Sequence, residues 1–473
     1  MGLRLGRWDK RGRLFGMIVG WAFLARGELA GEAAEVTGLI TLEPGHFHAA
    51  LFQKEMLPGV PERAHVYAPL GPDLFAHLNR IAQFNNRPDN PTHWKLEVHA
   101  GADFWERFLA ERPGNVVVVS GNNRGKIARL EAIVRHGLHV LADKPWIIES
   151  ADLPTLASTL QAAQEQGVVA YDAMTQRFEI AYRLQRELVN DRDVFGTCLA
   201  GSPTQPAVYG ESVHYLLKEV AGVPSLRPAW FFDIRQQGEG LADVGTHLVD
   251  LVQWILFPDQ AIDYRQEVQV LTGAHWPTAL TLAQFQRVTG ERQFPEFLRD
   301  AVKGGRLEYF ANNSVAYTLR QIHVRLAIKW DIKAPRGGKD AESLVFCGSR
   351  ARVEVRQGQA GNWEPEVYVV PNRAGEMDQL LPALRQRLAA LQAEYPGLGL
   401  ETRRGQFGLE IPARYRVGHE AHFGLLTRRF LDYVANPRSL PAWEKPNMLA
   451  KYYVTTKGVE LARRAPPASG HQP

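Results

Sequence analysis

Cysteine is almost absent from this chain: Cys198 and Cys347 are the two in 473 residues. Neither has a partner in C-x-x-C spacing, which excludes a zinc ribbon, a redox pair and a disulfide-built scaffold, while one bridge between the two stays open. Long apolar runs are missing as well. The uncharged apolar stretch at residues 14–25 has twelve residues, short of the roughly 20 that span a bilayer. An excess of one charge is missing too: of the net charge of +4, residues 1–33 supply three, with six basic against three acidic side chains. The near-neutral remainder has no electrostatic footprint for nucleic acid. The last absence is local. A G-x-G-x-x-G phosphate loop is expected after the first strand of a dinucleotide fold, yet "ITLEPGHFH" keeps one glycine, Gly45. The acid expected at the end of the second strand is also missing: Ala68 and Pro69 stand there, with Asp73 further on.

What is present begins with a leader. A basic start, the apolar segment "LFGMIVGWAFLA" and small residues around Gly27 and Ala33 follow the order of a signal peptide, expected over 1–33. The chain is therefore expected to be exported or periplasmic, with no membrane attachment after cleavage. Length predicts two or three domains at about 150 residues each.

From residue 34 the pattern alternates. "VTGLITL", "RAHVYAP", "WKLEVHA", "NVVVVSGNN", "LHVLADKPW" and "VVAYDAM" read as strands, separated by helical rhythms such as "RGKIARLEAIVRHG". Four consecutive valines suit a parallel strand covered on both faces, and strand–helix alternation predicts a doubly wound sheet. Ligands bind such sheets at the carboxyl ends of the strands. Gly45, His46, Phe47 and His48, then Ser120, Gly121, Asn122 and Asn123, then Asp143 and Lys144 all fall at those ends.

Two segments carry a resemblance. "HVLADKPW" resembles the E-K-P segment of the Gfo/Idh/MocA oxidoreductases, including the glucose–fructose oxidoreductases, with Asp143 in place of glutamate. "GEGLADVGTHLVDLVQWIL", residues 238–256, resembles that family's G-G-G-x-x-x-D-x-G-x-H-x-x-D segment, with Asp243, Gly245, His247 and Asp250 matching and Glu239 replacing a glycine. The match covers residues 36–260. It implies an α/β fold: an N-terminal Rossmann doubly wound parallel sheet (34–175) plus a C-terminal α/β domain with a largely antiparallel open sheet (176–462). It also implies NAD or NADP, held tightly if the chain is exported, and a carbohydrate substrate. His48 falls where the family places a histidine after its last loop glycine, and Arg177 in "MTQRF" matches a family arginine near the cofactor.

Hydride transfer from a carbinol needs a base for the hydroxyl proton and a positive group near the developing alkoxide. His247 is the candidate base, Lys144 the candidate cation, and Asp243, four residues before His247, shares its helical face and orients it or binds substrate. Asp250 reads as a structural pair at the domain junction. His46 and His48 form an H-x-H pair, but no third ligand lies nearby in sequence, so cofactor-loop packing is preferred and no metal is expected. His214 and Lys218, read as one helical turn apart, line the substrate pocket or a surface helix. Trp230, with Phe231 and Phe232, stacks on a sugar or belongs to the core.

In the second half, "VRLAIKWDIKAP", "SLVFCGSRARVEVRQG" and "PEVYVVP" read as antiparallel strands from about Tyr317. Residues 372–412 hold an amphipathic helix, expected as an insertion or a subunit contact in a homo-oligomer. Two terminal helices pack back on the body, and 463–473 form a disordered tail. The functional expectation is hydride transfer between a sugar hydroxyl or keto carbon and nicotinamide. Redox-neutral cleavage or epimerisation through a transient keto sugar, and a non-catalytic sugar binder, stand as alternatives.

Overall fold

The computed structural model describes residues 35–465, apart from 221–222, 225 and 336. The expected signal peptide lies outside the described residues. Six strands, β1 (Leu39–Leu42), β2 (Arg63–Ala68), β3 (Lys95–Ala100), β4 (Val116–Val119), β5 (His139–Ala142) and β6 (Ala170–Asp172), form a parallel sheet in the order β3-β2-β1-β4-β5-β6. Leu39 registers with Ala64 on one side and Val116 on the other, so the order reverses at β1 and β4, which opens a crevice beyond their carboxyl ends. The "LITL", "VVVV" and "HVLA" strands are buried at every residue, as a sheet covered on both faces requires. Helices α1 (His48–Leu51), α2 (Pro72–Asn86), α3 (Phe104–Glu111), α4 (Lys126–Arg135) and α5 (Leu153–Gln166) connect them. Gly137, at φ +74°, closes α4 as expected.

The second sheet follows α6 (Ile180–Val189). Its strands are β7 (Val208–Leu217), β10 (Val268–Thr281), β12 (Arg306–Leu319), β13 (Ile322–Lys333), β14 (Ala341–Cys347), β15 (Ala351–Gln357), β16 (Glu366–Pro371), β17 (Gly399–Arg403) and β18 (Gln406–Glu410). The order is β10-β12-β13-β7-β14-β15-β16-β18-β17, with the short β11 (Val302–Lys303) beside β12 and a separate hairpin of β8 (Glu219–Val220) and β9 (Val223–Pro224). All neighbours in the main path are antiparallel except β13 and β7. Leu184, Leu188, Leu248 and Val252, from α6 and α8 (Gly245–Leu256), share a core with Leu326, Leu344 and Val353 of this sheet. Short helices α7 (Gly240–Asp243), α9 (Tyr264–Glu267) and α10 (Leu282–Thr289) complete the middle of the chain.

Three expectations need revision. The segment holding His214 is strand β7, not a helix. Its inward positions run Val208, Gly210, Ser212, His214, so its buried face turns polar and hides the strand period. The sheet also begins about 110 residues before Tyr317, with β7. Within 372–412, α11 (Met377–Leu391) packs Leu380, Leu384 and Leu388 into the core, and β18 pairs with β16, so the segment widens the sheet.

The terminal helices tie the halves together. From α12 (His419–Ala435), Phe423, Leu426 and Phe430 pack with Leu39, Val116 and Leu141 of the parallel sheet. From α13 (Glu444–Arg464), Tyr452 joins the Rossmann core while Val454 and Val459 join the other. The helix runs past the expected tail boundary at 463, because Arg463 pairs with Glu149 and the buried Glu239. Among the described residues no helix is long and apolar enough to cross a membrane.

Candidate active site

Three strand ends meet. The β1 loop turns back at Glu43, which has φ +48°; Gly45 N–H donates to Glu43 O at 2.8 Å and His46 N–H to Ser120 O at 2.9 Å. A Cβ on Gly121 would come within 2.3 Å of Glu43 O, and one on Gly45 within 3.2 Å of the Gly121 Cα. Backbone against backbone therefore requires glycine at 121 and leaves little room for a side chain at 45. From β5, the buried Asp143 gathers His48 Nδ1 at 2.9 Å, His46 Nδ1 at 3.1 Å and Ser120 Oγ at 3.0 Å on its Oδ2. Burial would raise its carboxyl, but the two histidines hold it well below the usual range. The third ligand that sequence did not supply for His46 and His48 is thus Asp143, which acts here as the hydrogen-bonding anchor of the loop. Burial also pushes His48 down to about 4.

The next residue is Lys144. Its ammonium lies 2.5 Å from Asp243 Oδ1, at the end of α7, and both side chains are buried. Burial would raise Asp243, but Lys144, a Gln237 hydrogen bond and the charge of His214 hold it below the usual carboxylate range. One helical turn on, His247 is held well below its ordinary value by burial and then by Lys144, and its Nδ1 is sealed without a hydrogen-bond partner among the described residues. Lys144, Asp243 and His247 are thus brought together.

The β4 loop fixes this pairing. Asn122 Nδ2 donates to Gln236 Oε1 at 2.6 Å and Asn123 Nδ2 to Gln237 O at 2.9 Å, so the Rossmann loop grips the segment leading into α7. Asn313 takes the Leu241 N–H at 2.9 Å and donates to Glu239 at 2.8 Å, which anchors α7 from the sheet side.

Other expected residues fall elsewhere. Arg177 is not at the cofactor loop: it forms a bidentate pair with Asp250, at 2.6 and 2.7 Å, bonds Glu444 at 2.8 Å, and lies over Trp443. The junction role foreseen for Asp250 is met in this network. Trp230 stands against the β1 loop, with its Cζ2 3.4 Å from a Cβ on Gly45 and its Nε1 donating to Asp73 at 3.2 Å, so its indole faces the loop. His214 and Lys218 meet on Asp340, at 3.1 and 2.8 Å. That places them on the inward sheet face, where the charge of His214 reaches Asp243.

Sequence reading missed three groups. Lys126, 1% exposed, donates to Asn123 Oδ1, Asp143 O and Pro145 O at 2.5, 2.9 and 3.0 Å and so holds the "DKP" turn. Its signal was a lysine on the apolar face of α4. His419 stacks on His48 with ring centroids 4.9 Å apart, and Arg227 lies between Phe231 and Trp330. Nothing local marks the last two.

A parallel Rossmann sheet whose lysine meets an aspartate carried over an antiparallel sheet defines a two-domain oxidoreductase architecture. Residues 184–463 match the family described as "Putative oxidoreductase C terminal domain". A "putative oxidoreductase" structure from Parabacteroides merdae is 43% identical over 92% of this chain and 98% of that one, with a TM-score of 0.89. The chain belongs to this oxidoreductase family, and its resemblance to the Gfo/Idh/MocA oxidoreductases is borne out. More distant structures share the fold at TM-scores of 0.56. They are levoglucosan dehydrogenase with NADH and levoglucosan (13% identity, 90% of this chain and 97% of that one) and GenD2 of gentamicin A biosynthesis with NAD (13%, 92% and 96%). No match was found among curated proteins.

Proposed function

We propose that this protein is an exported NAD(P)-dependent oxidoreductase that moves a hydride between nicotinamide and a hydroxyl or keto carbon of a sugar or glycoside. The observation that carries this reading is the Lys144–Asp243 contact of 2.5 Å at the carboxyl end of β5, with a neutral His247 beside it. The sugar class is supported by the shared fold of the levoglucosan dehydrogenase complex.

The residues present fit a dinucleotide. Gly45 and Gly121 give the close backbone approach that a pyrophosphate needs. Asp143 Oδ1 is a buried polar atom without a hydrogen-bond partner among the described residues, at the strand ends where nicotinamide binds. Asp73, held up by burial and bonded by Trp230, stands 3.2 Å from a Cβ on Gly45. It supplies the ribose carboxylate that the end of β2 lacks. Gly45 to His48, Ser120 to Asn123, Asp143 and Asp73 would hold the group, which when bound supplies the hydride acceptor or donor.

The chain's own residues handle the proton. A substrate hydroxyl beside His247 gives its proton to the imidazole, which is neutral at working pH because burial and Lys144 depress it. The Lys144 ammonium faces the same oxygen and stabilises the alkoxide charge left there when the proton departs. Asp243 holds that ammonium in place. Export rests on the leader-like order of residues 1–33, and cell fractionation tests it. The enzymatic reading is tested by adding sugars to the protein with NAD+ or NADP+ and following nicotinamide absorbance in wild type, Lys144→Ala and His247→Ala. Turnover in wild type alone supports the assignment; full turnover in both variants overturns it.

A further inference from the structure

On the inward face of the second sheet, one cluster is not used by the proton chemistry. The Arg227 guanidinium lies between two rings, 4.5 Å from the Phe231 centroid and 4.8 Å from that of Trp330. Its Nε is sealed from solvent and has no hydrogen-bond partner among the described residues. Two more sealed atoms lie in the same cluster without partners: Trp330 Nε1 and Asp340 Oδ1. His214 stacks on Trp330 with centroids 4.8 Å apart, and β7 and β13 place these two residues side by side. The other Asp340 oxygen is spent on His214 and Lys218.

A buried donor or acceptor left unpaired is costly, and more so for a charged group. Three such atoms in one cluster, one of them on a guanidinium, describe a surface shaped for a ligand. Charge gives the class. The Asp340 carboxylate is offset by Lys218 and His214, and that of Asp243 by Lys144. Arg227 feels Asp243 and Asp340 at a distance, yet burial still pulls its guanidinium down from the ordinary value, so its charge is under-compensated. A guanidinium edge matches a carboxylate or phosphate oxygen pair. An indole N–H such as Trp330 Nε1 can donate to a sugar hydroxyl, and a carboxylate oxygen such as Asp340 Oδ1 can accept from one.

We infer that the substrate is an anionic sugar, its carboxylate held by Arg227 and its hydroxyls by Trp330 and Asp340, beside the Lys144–Asp243 pair. This rests on the sugar-oxidoreductase reading above and deepens it. Glucuronate and galacturonate are the carboxylate probes, glucose 6-phosphate tests a phosphate as the source of the anion, and glucose and galactose are the neutral controls. Calorimetric binding is measured for wild type, Arg227→Met and Arg227→Lys in the presence of NAD+, with a thermal melt to establish folding. The expected result is that a uronate binds wild type more tightly than its neutral counterpart. Arg227→Met should weaken uronate binding about 10- to 100-fold, more than it weakens neutral-sugar binding, and Arg227→Lys should restore part of the loss. Stronger binding of the sugar phosphate than of either uronate overturns the carboxylate assignment. Neutral sugars bound as tightly as uronates, or an equal loss for both classes in Arg227→Met, overturn the inference. Because the readout is binding, the two readings fail separately. Arg227-dependent uronate binding without nicotinamide reduction supports the subsite and refutes the redox function. Nicotinamide reduction by neutral sugars without uronate preference does the reverse.

Discussion

The two sides of the cleft are built by different means. On the Rossmann side the walls are backbone: Gly121 lies under Glu43 O, the His46 N–H is spent on Ser120, and the buried histidines converge on one carboxylate. On the sheet side the walls are side chains from strands and the loops beside them, with Arg227, Trp330 and Asp340 each keeping a sealed polar atom without a partner among the described residues. The first wall tolerates little change in shape and takes one kind of guest. The second is set residue by residue and can be altered to suit a substrate without disturbing the fold. The lysine–aspartate pair is the seam where they meet.

Breaking the seam should have the largest effect. Lys144→Ala removes the cation at the reacting oxygen and should lower kcat by about 10²- to 10³-fold; His247→Ala should cost about 10²- to 10⁴-fold. Dinucleotide titration should show that both variants still bind cofactor. Next comes the backbone wall. Gly121→Ala forces a Cβ to within 2.3 Å of a carbonyl oxygen and should destabilise the protein by about 1–3 kcal/mol while loosening the cofactor loop. A melt with and without NAD+ separates the two effects.

Acid should distinguish the halves more gently. His48, His77, His139 and His422 are pushed down to about 4 and His419 to about 3, each mainly by burial. They lie in the Rossmann half or on the helix covering it. The unfolded chain takes up their protons near pH 6.5 while the folded chain does not, so their stability is present above 6.5 and is lost as pH falls toward 4. On the sheet side one histidine, His247, is depressed in the same way, while Glu239 and Asp340 are held below their ordinary values, so the stability those carboxylates confer goes only below about pH 4. Hydrogen exchange at pH 5 should open the parallel sheet before the antiparallel one. The smallest effect expected is from Trp230→Phe, which removes one hydrogen bond to Asp73. It should weaken dinucleotide binding by about 0.5–1.5 kcal/mol.

The same contrast explains what could be read in the sequence. The parallel sheet was legible because its central strands are covered on both faces and read as apolar runs, as "VVVV" does. Lys144, Asp243 and His247 were legible because their spacing is fixed by one turn and one helix start. The glycine loop read poorly because this chain builds it with one glycine of the usual three and borrows Gly121 from the loop after β4, 76 residues away. The β7 segment misled because Ser212 and His214 occupy inward positions, so polarity and burial run together. Arg177 misled because its partners, Asp250 and Glu444, come from distant helices. Arg227, Trp330 and Asp340 share one cluster only after the sheet has formed, and no local pattern announces that.

The proposed chemistry places hydride transfer at the Lys144–Asp243 pair, against a bound nicotinamide. Its most direct measurement titrates the protein with NAD+ or NADP+, then adds uronates and neutral sugars while following nicotinamide absorbance in wild type and Lys144→Ala. The account predicts cofactor binding in both proteins and substrate-dependent reduction in wild type alone. Absence of dinucleotide binding in wild type, or equal reduction in the two proteins, would contradict it.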